Sequence, residues 1–314
     1  MTNGRVSSLT MIRRESQKPM TMNDEPRLNH VRCLGARGLH RMAYWEWGAA
    51  ANPRVLVCAH GLSRQARDFD TLARAMSAEY RVVCVDVVGR GHSDWLADPT
   101  GYQIPTYVAD MVTLLARLNA QTVHWVGTSM GGLIGLGLAS LPQSPIARLV
   151  LNDVGPTIQF EALVRIGTYL GQPLRWNTQD EASDYLQTIS AGFGPHTRAQ
   201  WLALSRPMLK PDGDRFKLHY DPAIALPFKA ITREIAAVGE AMTWAAYDAI
   251  RCPTLLLRGA ESDLLKHETA LAMTERGPKA RLVEFEGVGH APTLVADDQV
   301  AAVRAFLLGS DPGP

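Results

Sequence analysis

Short runs of β-branched and aliphatic residues alternate along the chain with longer stretches in which apolar positions recur every three or four residues. The first pattern suits strands buried on both faces, and the second suits helices with one apolar stripe. Strands are predicted at 54–59, 81–85, 122–126, 147–152, 254–257 and 281–285, and helices at 69–78, 104–118, 132–140, 266–275 and 299–308. An earlier pair, 30–34 and 39–47, reads as an antiparallel hairpin turning through Gly35 and Gly38. Such alternation is the signature of an α/β fold, a mostly parallel sheet with helices on both faces.

The alternation stops after Asn152 and resumes at Cys252. The block between carries its own aromatics, among them Phe160, Trp176, Phe193, Trp201 and Trp244, and shows no convincing buried strand. A structureless stretch of that length does not fit a compact domain, so a helical insertion over the sheet is expected. Residues 1–29 read as a poorly ordered tail, with no apolar stretch of secretory length.

Composition narrows the function. The chain has 314 residues with 32 Lys and Arg against 31 Asp and Glu, a net charge of +1. No overall field favours a polyanion, so nucleic acid is not an expected partner. No apolar run has the length of a membrane span, and a cytoplasmic protein is expected. The four cysteines, Cys33, Cys58, Cys84 and Cys252, form no Cys-x-x-Cys pair and read as buried reduced thiols. His30, His40, His124, His196, His219 and His267 show no metal-ligand spacing, and no nucleotide-binding glycine motif occurs, so neither metal nor cofactor is expected.

The candidate chemistry lies at strand ends. Gly127-Thr128-Ser129-Met130-Gly131 follows the strand at 122–126 and precedes a glycine-rich helix, the strand, sharp turn and helix of a nucleophile elbow. A serine hydroxyl needs a base to take its proton and an acid to orient that base. His290, in Gly287-Val288-Gly289-His290, follows the strand at 281–285 and is the expected base. Asp263 follows the strand at 254–257 and is the expected acid; Asp153, after the strand at 147–152, is the alternative. The backbone N–H groups of Leu62, in His60-Gly61-Leu62, and of Met130 would form the oxyanion hole. Arg64 is a candidate for holding a substrate carboxylate, in competition with a simple pairing to Asp68. His60 and His92 are taken as loop-fixing residues, and Arg90 as a brace of its own loop.

With His60-Gly61, Asp86-Val87-Val88-Gly89-Arg90-Gly91-His92-Ser93, the elbow at Ser129, and the acid and His in order, the chain resembles the α/β-hydrolase family over 31–308. The resemblance implies an eight-stranded sheet with a core at 30–155 and 249–314 and a helical cap at 156–248. It also implies Ser129 as nucleophile, His290 as base, Asp263 as acid and Leu62 with Met130 as oxyanion donors. Serine at the elbow sets the chain apart from the branches whose nucleophile is Asp. The expected activity is hydrolysis of a small carboxylic ester, thioester or lactone through an acyl-enzyme. Carbon-carbon bond hydrolysis or acyl transfer is the alternative on the same fold, and a non-catalytic ligand-binding role is the alternative outside enzymology.

Overall fold

A computed structural model describes residues 25–309. The predicted hairpin is present as β1 (Arg27–Gly35) and β2 (Gly38–Trp47), followed by β3 (Arg54–Ala59), α1 (Asp70–Met76), β4 (Arg81–Asp86) and α2 (Ile104–Leu118). Then come β5 (Thr122–Thr128), α3 (Met130–Ala139) and β6 (Ile146–Asn152). Most of the tail expected at 1–29 lies outside the described residues, but Arg27, Leu28 and Asn29 belong to β1, where they pair with Glu46, Trp45 and Tyr44.

After β6 the chain leaves the sheet and builds α4 (Phe160–Tyr169), α5 (Gln179–Ile189), α6 (Arg198–Ser205), β7 (Leu209–Asp212), β8 (Arg215–Leu218), α7 (Leu226–Lys229) and α8 (Arg233–Ala249). The insertion is mainly helical, as its pattern suggested. Its hairpin of β7 and β8 was not foreseen: four-residue strands with little burial give no continuous apolar run to read. The chain then returns through β9 (Thr254–Gly259), α9 (His267–Glu275), β10 (Arg281–Phe285) and α10 (Asp297–Leu308).

The eight-stranded sheet has the order β1-β2-β4-β3-β5-β6-β9-β10. Every pairing from β4 to β10 is parallel, and β2 runs antiparallel to both of its neighbours. The two faces carry separate cores. Trp125, Ile134, Leu114 and Met111 pack with Tyr247 and Met273 on one side, while Phe69, Leu72 and Met76 pack with Val303 and Leu307 on the other. Central strands such as β3 and β4 are buried almost end to end, as side chains facing two helical layers must be.

This topology sets β3, β5, β6, β9 and β10 side by side. Their carboxyl ends therefore open onto one region, where loops of a parallel sheet gather ligands and reacting groups.

Candidate active site

The turn after β5 is forced by its glycines. Ser129 has φ 52° and ψ −116°, a strained backbone held between the strand and α3. Its N–H donates to Asn152 O at 2.9 Å, and its carbonyl accepts from Gly132 N–H at 2.8 Å. A Cβ on Gly131 would lie 1.9 Å from Ala59 O, and one on Gly127 would lie 2.2 Å from Gly131 O. No side chain fits at either position, so the serine is carried on a bend that only this spacing permits.

Above that bend, Ser129 Oγ lies 3.0 Å from His290 Nε2. The other ring nitrogen, His290 Nδ1, lies 2.6 Å from Asp153 Oδ2. Asp153 is completely buried, and its carboxylate also accepts from Gly259 N–H at 3.0 Å and from the Ser262 hydroxyl at 2.6 Å. A buried carboxylate is tolerable only when donors surround it, and this one has them on both oxygens.

Asp263, the acid expected from the sequence, does not meet His290. Its carboxylate pairs with Arg165 of α4, and both side chains are about half exposed. Burial alone would push the Asp263 carboxyl up, but Arg165 beside it carries it below the ordinary carboxylate range. The arrangement therefore corrects the expectation, because the position facing the imidazole is filled from the end of β6 by Asp153. Ser262, next to Asp263, reaches the site instead, through its hydroxyl on Asp153.

The turn after β3 lies against the elbow. A Cβ on Gly61 would fall 3.7 Å from Ser129 Cβ, which brings the Gly61–Leu62 turn beside Ser129. Met130, the other expected oxyanion donor, is the first residue of α3, where an N–H has no partner within its own helix. His60 fixes the turn from below: Nδ1 shares a hydrogen bond with Gly61 O at 2.7 Å, and Nε2 accepts from Val87 N–H at 3.0 Å. Burial pushes this imidazole down to about 3, so the ring is neutral.

Arg90 does more than brace its own loop. Its guanidinium is fully buried and donates to Leu62 O at 2.8 Å, Val88 O at 2.8 Å and Tyr107 Oη at 2.9 Å, and it touches Met130 Sδ at 3.6 Å. One rigid cation thus ties together the two residues expected to donate to an oxyanion. The sequence signal was its place in Gly89-Arg90-Gly91, which said that the loop is tight but not which carbonyl the arginine would find.

Arg64 holds Asp68 through two bonds at 2.6 and 2.7 Å and donates to Leu204 O of α6 at 3.1 Å. Its donors are committed to the protein, which corrects the expectation that it receives a substrate carboxylate. It still borders a cavity of about 40 Å³ together with Thr128, Phe193, Ala291 and Pro292. The insertion closes over this region, where Gly192 O accepts from Gly289 N–H at 2.6 Å beside His290.

An imidazole between a hydroxyl and a buried carboxylate, at the carboxyl edge of a mostly parallel sheet, is a constellation for nucleophilic hydrolysis. The sequence profile described as the alpha/beta hydrolase family matches residues 56–303. The chain belongs to this family. Among its relatives in the family, a 3-hydroxybutyrate-oligomer hydrolase from Cupriavidus necator is 56% identical over 293 residues, which cover 92% of this chain and 100% of that protein. A solved alpha/beta hydrolase from Novosphingobium aromaticivorans is 35% identical with a TM-score of 0.78, covering 90% of this chain and 98% of its own. A solved structure from Rickettsia typhi superposes with a TM-score of 0.82 at 29% identity, covering 91% of this chain and all of the other. Among the described residues, no helix is long and apolar enough to cross a membrane.

Proposed function

We propose that this ester hydrolase cleaves short oligomers of 3-hydroxybutyrate, with Ser129 as nucleophile, His290 as general base and Asp153 as the acid of the triad. The observation that carries the residue roles is the continuous chain from Ser129 Oγ through His290 to Asp153, at 3.0 and 2.6 Å. The substrate class rests on the relative from Cupriavidus necator, whose whole length is matched at 56% identity.

In this reading Asp153 accepts Nδ1–H of His290, which leaves Nε2 with a lone pair toward Ser129 Oγ. As Oγ attacks the ester carbonyl carbon, its proton passes to Nε2. The carbonyl oxygen becomes an oxyanion and is met by the N–H groups of Leu62 and Met130, which Arg90 holds in place. Collapse of the tetrahedral intermediate breaks the bond to the leaving hydroxyacid oxygen, which takes the proton from His290. Water, deprotonated by the same imidazole, attacks the acyl-enzyme and releases the second acid. The residues 156–248 act as a cap that covers the acyl site and sets which chain lengths enter.

Release of 3-hydroxybutyrate from its linear dimer and trimer by the purified chain tests this reading, with Ser129→Ala as control. Turnover by the unaltered chain, lowered about ten-thousand-fold or more in the variant, is the expected outcome. Hydrolysis of simple aryl esters without hydrolysis of the oligomers would leave the triad standing and remove the substrate assignment.

A further inference from the structure

A second cluster of chemically capable side chains lies at the far edge of the sheet. In the β1–β2 hairpin, Cys33 stands directly opposite His40. Cross-strand neighbours have Cβ atoms about 5 Å apart, so register alone brings thiol and imidazole together. Helix α2 packs on β1 and lays Asp110 across the pair, with His40 Nε2 at 2.9 Å from Asp110 Oδ2. One ligating atom from each of the three residues falls within 4.8 Å of the other two.

All three residues are buried: Cys33 is 0%, Asp110 1% and His40 8% exposed. Asp110 Oδ1 and His40 Nδ1 have no hydrogen-bond partner, although both atoms are out of contact with solvent. An unpartnered carboxylate oxygen in such a place is costly, and a cation would relieve it. His40 also lines a cavity of about 540 Å³ between the hairpin turn and the loop leading into α2, alongside Leu39, Trp95, Asp98 and Gln103. That opening supplies both a route inward and room for water.

We propose that Cys33, His40 and Asp110 form a three-ligand site for a divalent cation of the zinc class, completed by water from the adjoining cavity. Thiolate, imidazole and carboxylate form the mixed sulfur, nitrogen and oxygen set that such an ion takes. Two anionic ligands balance its two charges, which suits a buried site. Binding releases the Cys33 thiol proton to water, exchanges the Cys33 Sγ–H contact to Asp110 O and the His40 Nε2 to Asp110 Oδ2 hydrogen bond for bonds to the ion, and leaves the imidazole one N–H on the nitrogen that does not bind it. Spacing along the chain concealed the site, because its ligands come from two strands and a helix more than seventy residues from Cys33. The ion would staple the hairpin to α2; β4 and β3 separate β2 from β5, which carries Ser129.

Titration of the chelator-stripped full chain with Co²⁺ tests the proposal, Co²⁺ standing in for Zn²⁺ because its thiolate bond absorbs in the near ultraviolet. One equivalent per chain should develop that band, and Zn²⁺ should abolish it by displacement. The band should vanish in Cys33→Ser and in the near-isosteric Asp110→Asn, and persist in Cys252→Ser. Zn²⁺ should also raise the thermal midpoint of the unaltered chain by several degrees and leave that of Asp110→Asn unchanged. Absence of both band and thermal shift in the unaltered chain would overturn the proposal. So would a band that survives Cys33→Ser, or one lost in Cys252→Ser.

Discussion

Ser262 Oγ donates to the same Asp153 oxygen that faces His290, at 2.6 Å, the separation of that oxygen from the imidazole nitrogen. The hydroxyl is itself fixed by accepting from Leu265 N–H at 3.1 Å. Ser262 therefore helps to aim the carboxylate without touching substrate. A hydrogen bond to a buried charge contributes about 1.5–3 kcal/mol. Ser262→Ala should lower kcat about ten-fold or somewhat more, with KM little changed, in steady-state assays on a 3-hydroxybutyrate dimer. A variant with full kcat would show that the other two donors suffice.

Arg90 presents a different kind of support, since it joins Leu62 and Met130 through a single guanidinium. Arg90→Lys keeps the charge but loses the fork, so it should not restore what Arg90→Met removes. Both variants should show kcat reduced by one to two orders of magnitude, in line with a displaced oxyanion donor. Equal kcat for Arg90→Lys and the unaltered chain would contradict a positioning role.

Two imidazoles, the buried His60 and the partly buried His219, contribute to the acid stability. His60 is pushed down to about 3, and burial brings His219 to about 4. In the unfolded chain each returns to about 6.5. Unfolding then takes up protons that the native state does not bind, so their contribution is present above about pH 6.5 and is lost as pH falls toward the native values. Denaturant unfolding between pH 6 and 4.5 should show this loss, at up to about 1.4 kcal/mol per pH unit for each ring. His60→Asn should flatten that dependence by about one proton. An unchanged slope would mean that His60 is not neutral in the native state.

Gly131 marks the tightest contact of the elbow, its missing Cβ lying where Ala59 O already stands. Gly131→Ala forces two backbones apart, a change of the class that costs several kcal/mol. The expected outcome is loss of soluble folded protein, or a thermal midpoint lowered by ten degrees or more. A normally stable Gly131→Ala chain would mean that the turn is looser than these contacts require.

Much of this was legible beforehand because it depends on local pattern. The aliphatic runs of β3 to β6 and the Gly-x-Ser-x-Gly turn specify strands and elbow through sterics confined to a few residues. The acid was not legible in the same way. Asp153 and Asp263 both follow strands, and β6 and β9 are neighbours, so neither chain order nor spacing to His290 separates them. The choice is made by tertiary contacts: Gly259 N–H and Ser262 hold Asp153 inside, while Arg165 from the insertion draws Asp263 outward. For Arg64 the sequence offers both a substrate carboxylate and the pairing to Asp68 that the structure shows, and what it does not reveal is Leu204, whose carbonyl helps to occupy the guanidinium from 140 residues further along the chain.

The claim on which the mechanism turns is that Asp153, not Asp263, orients His290. Side-by-side rates for Asp153→Asn and Asp263→Asn on the 3-hydroxybutyrate dimer test it most directly. Asp153→Asn should lose about a thousand- to ten-thousand-fold in kcat, because the amide no longer holds the productive imidazole tautomer. Asp263→Asn, which disturbs a half-exposed ion pair, should stay within about three-fold of the unaltered chain. The reverse ranking, with Asp263→Asn crippled and Asp153→Asn active, would contradict the assignment.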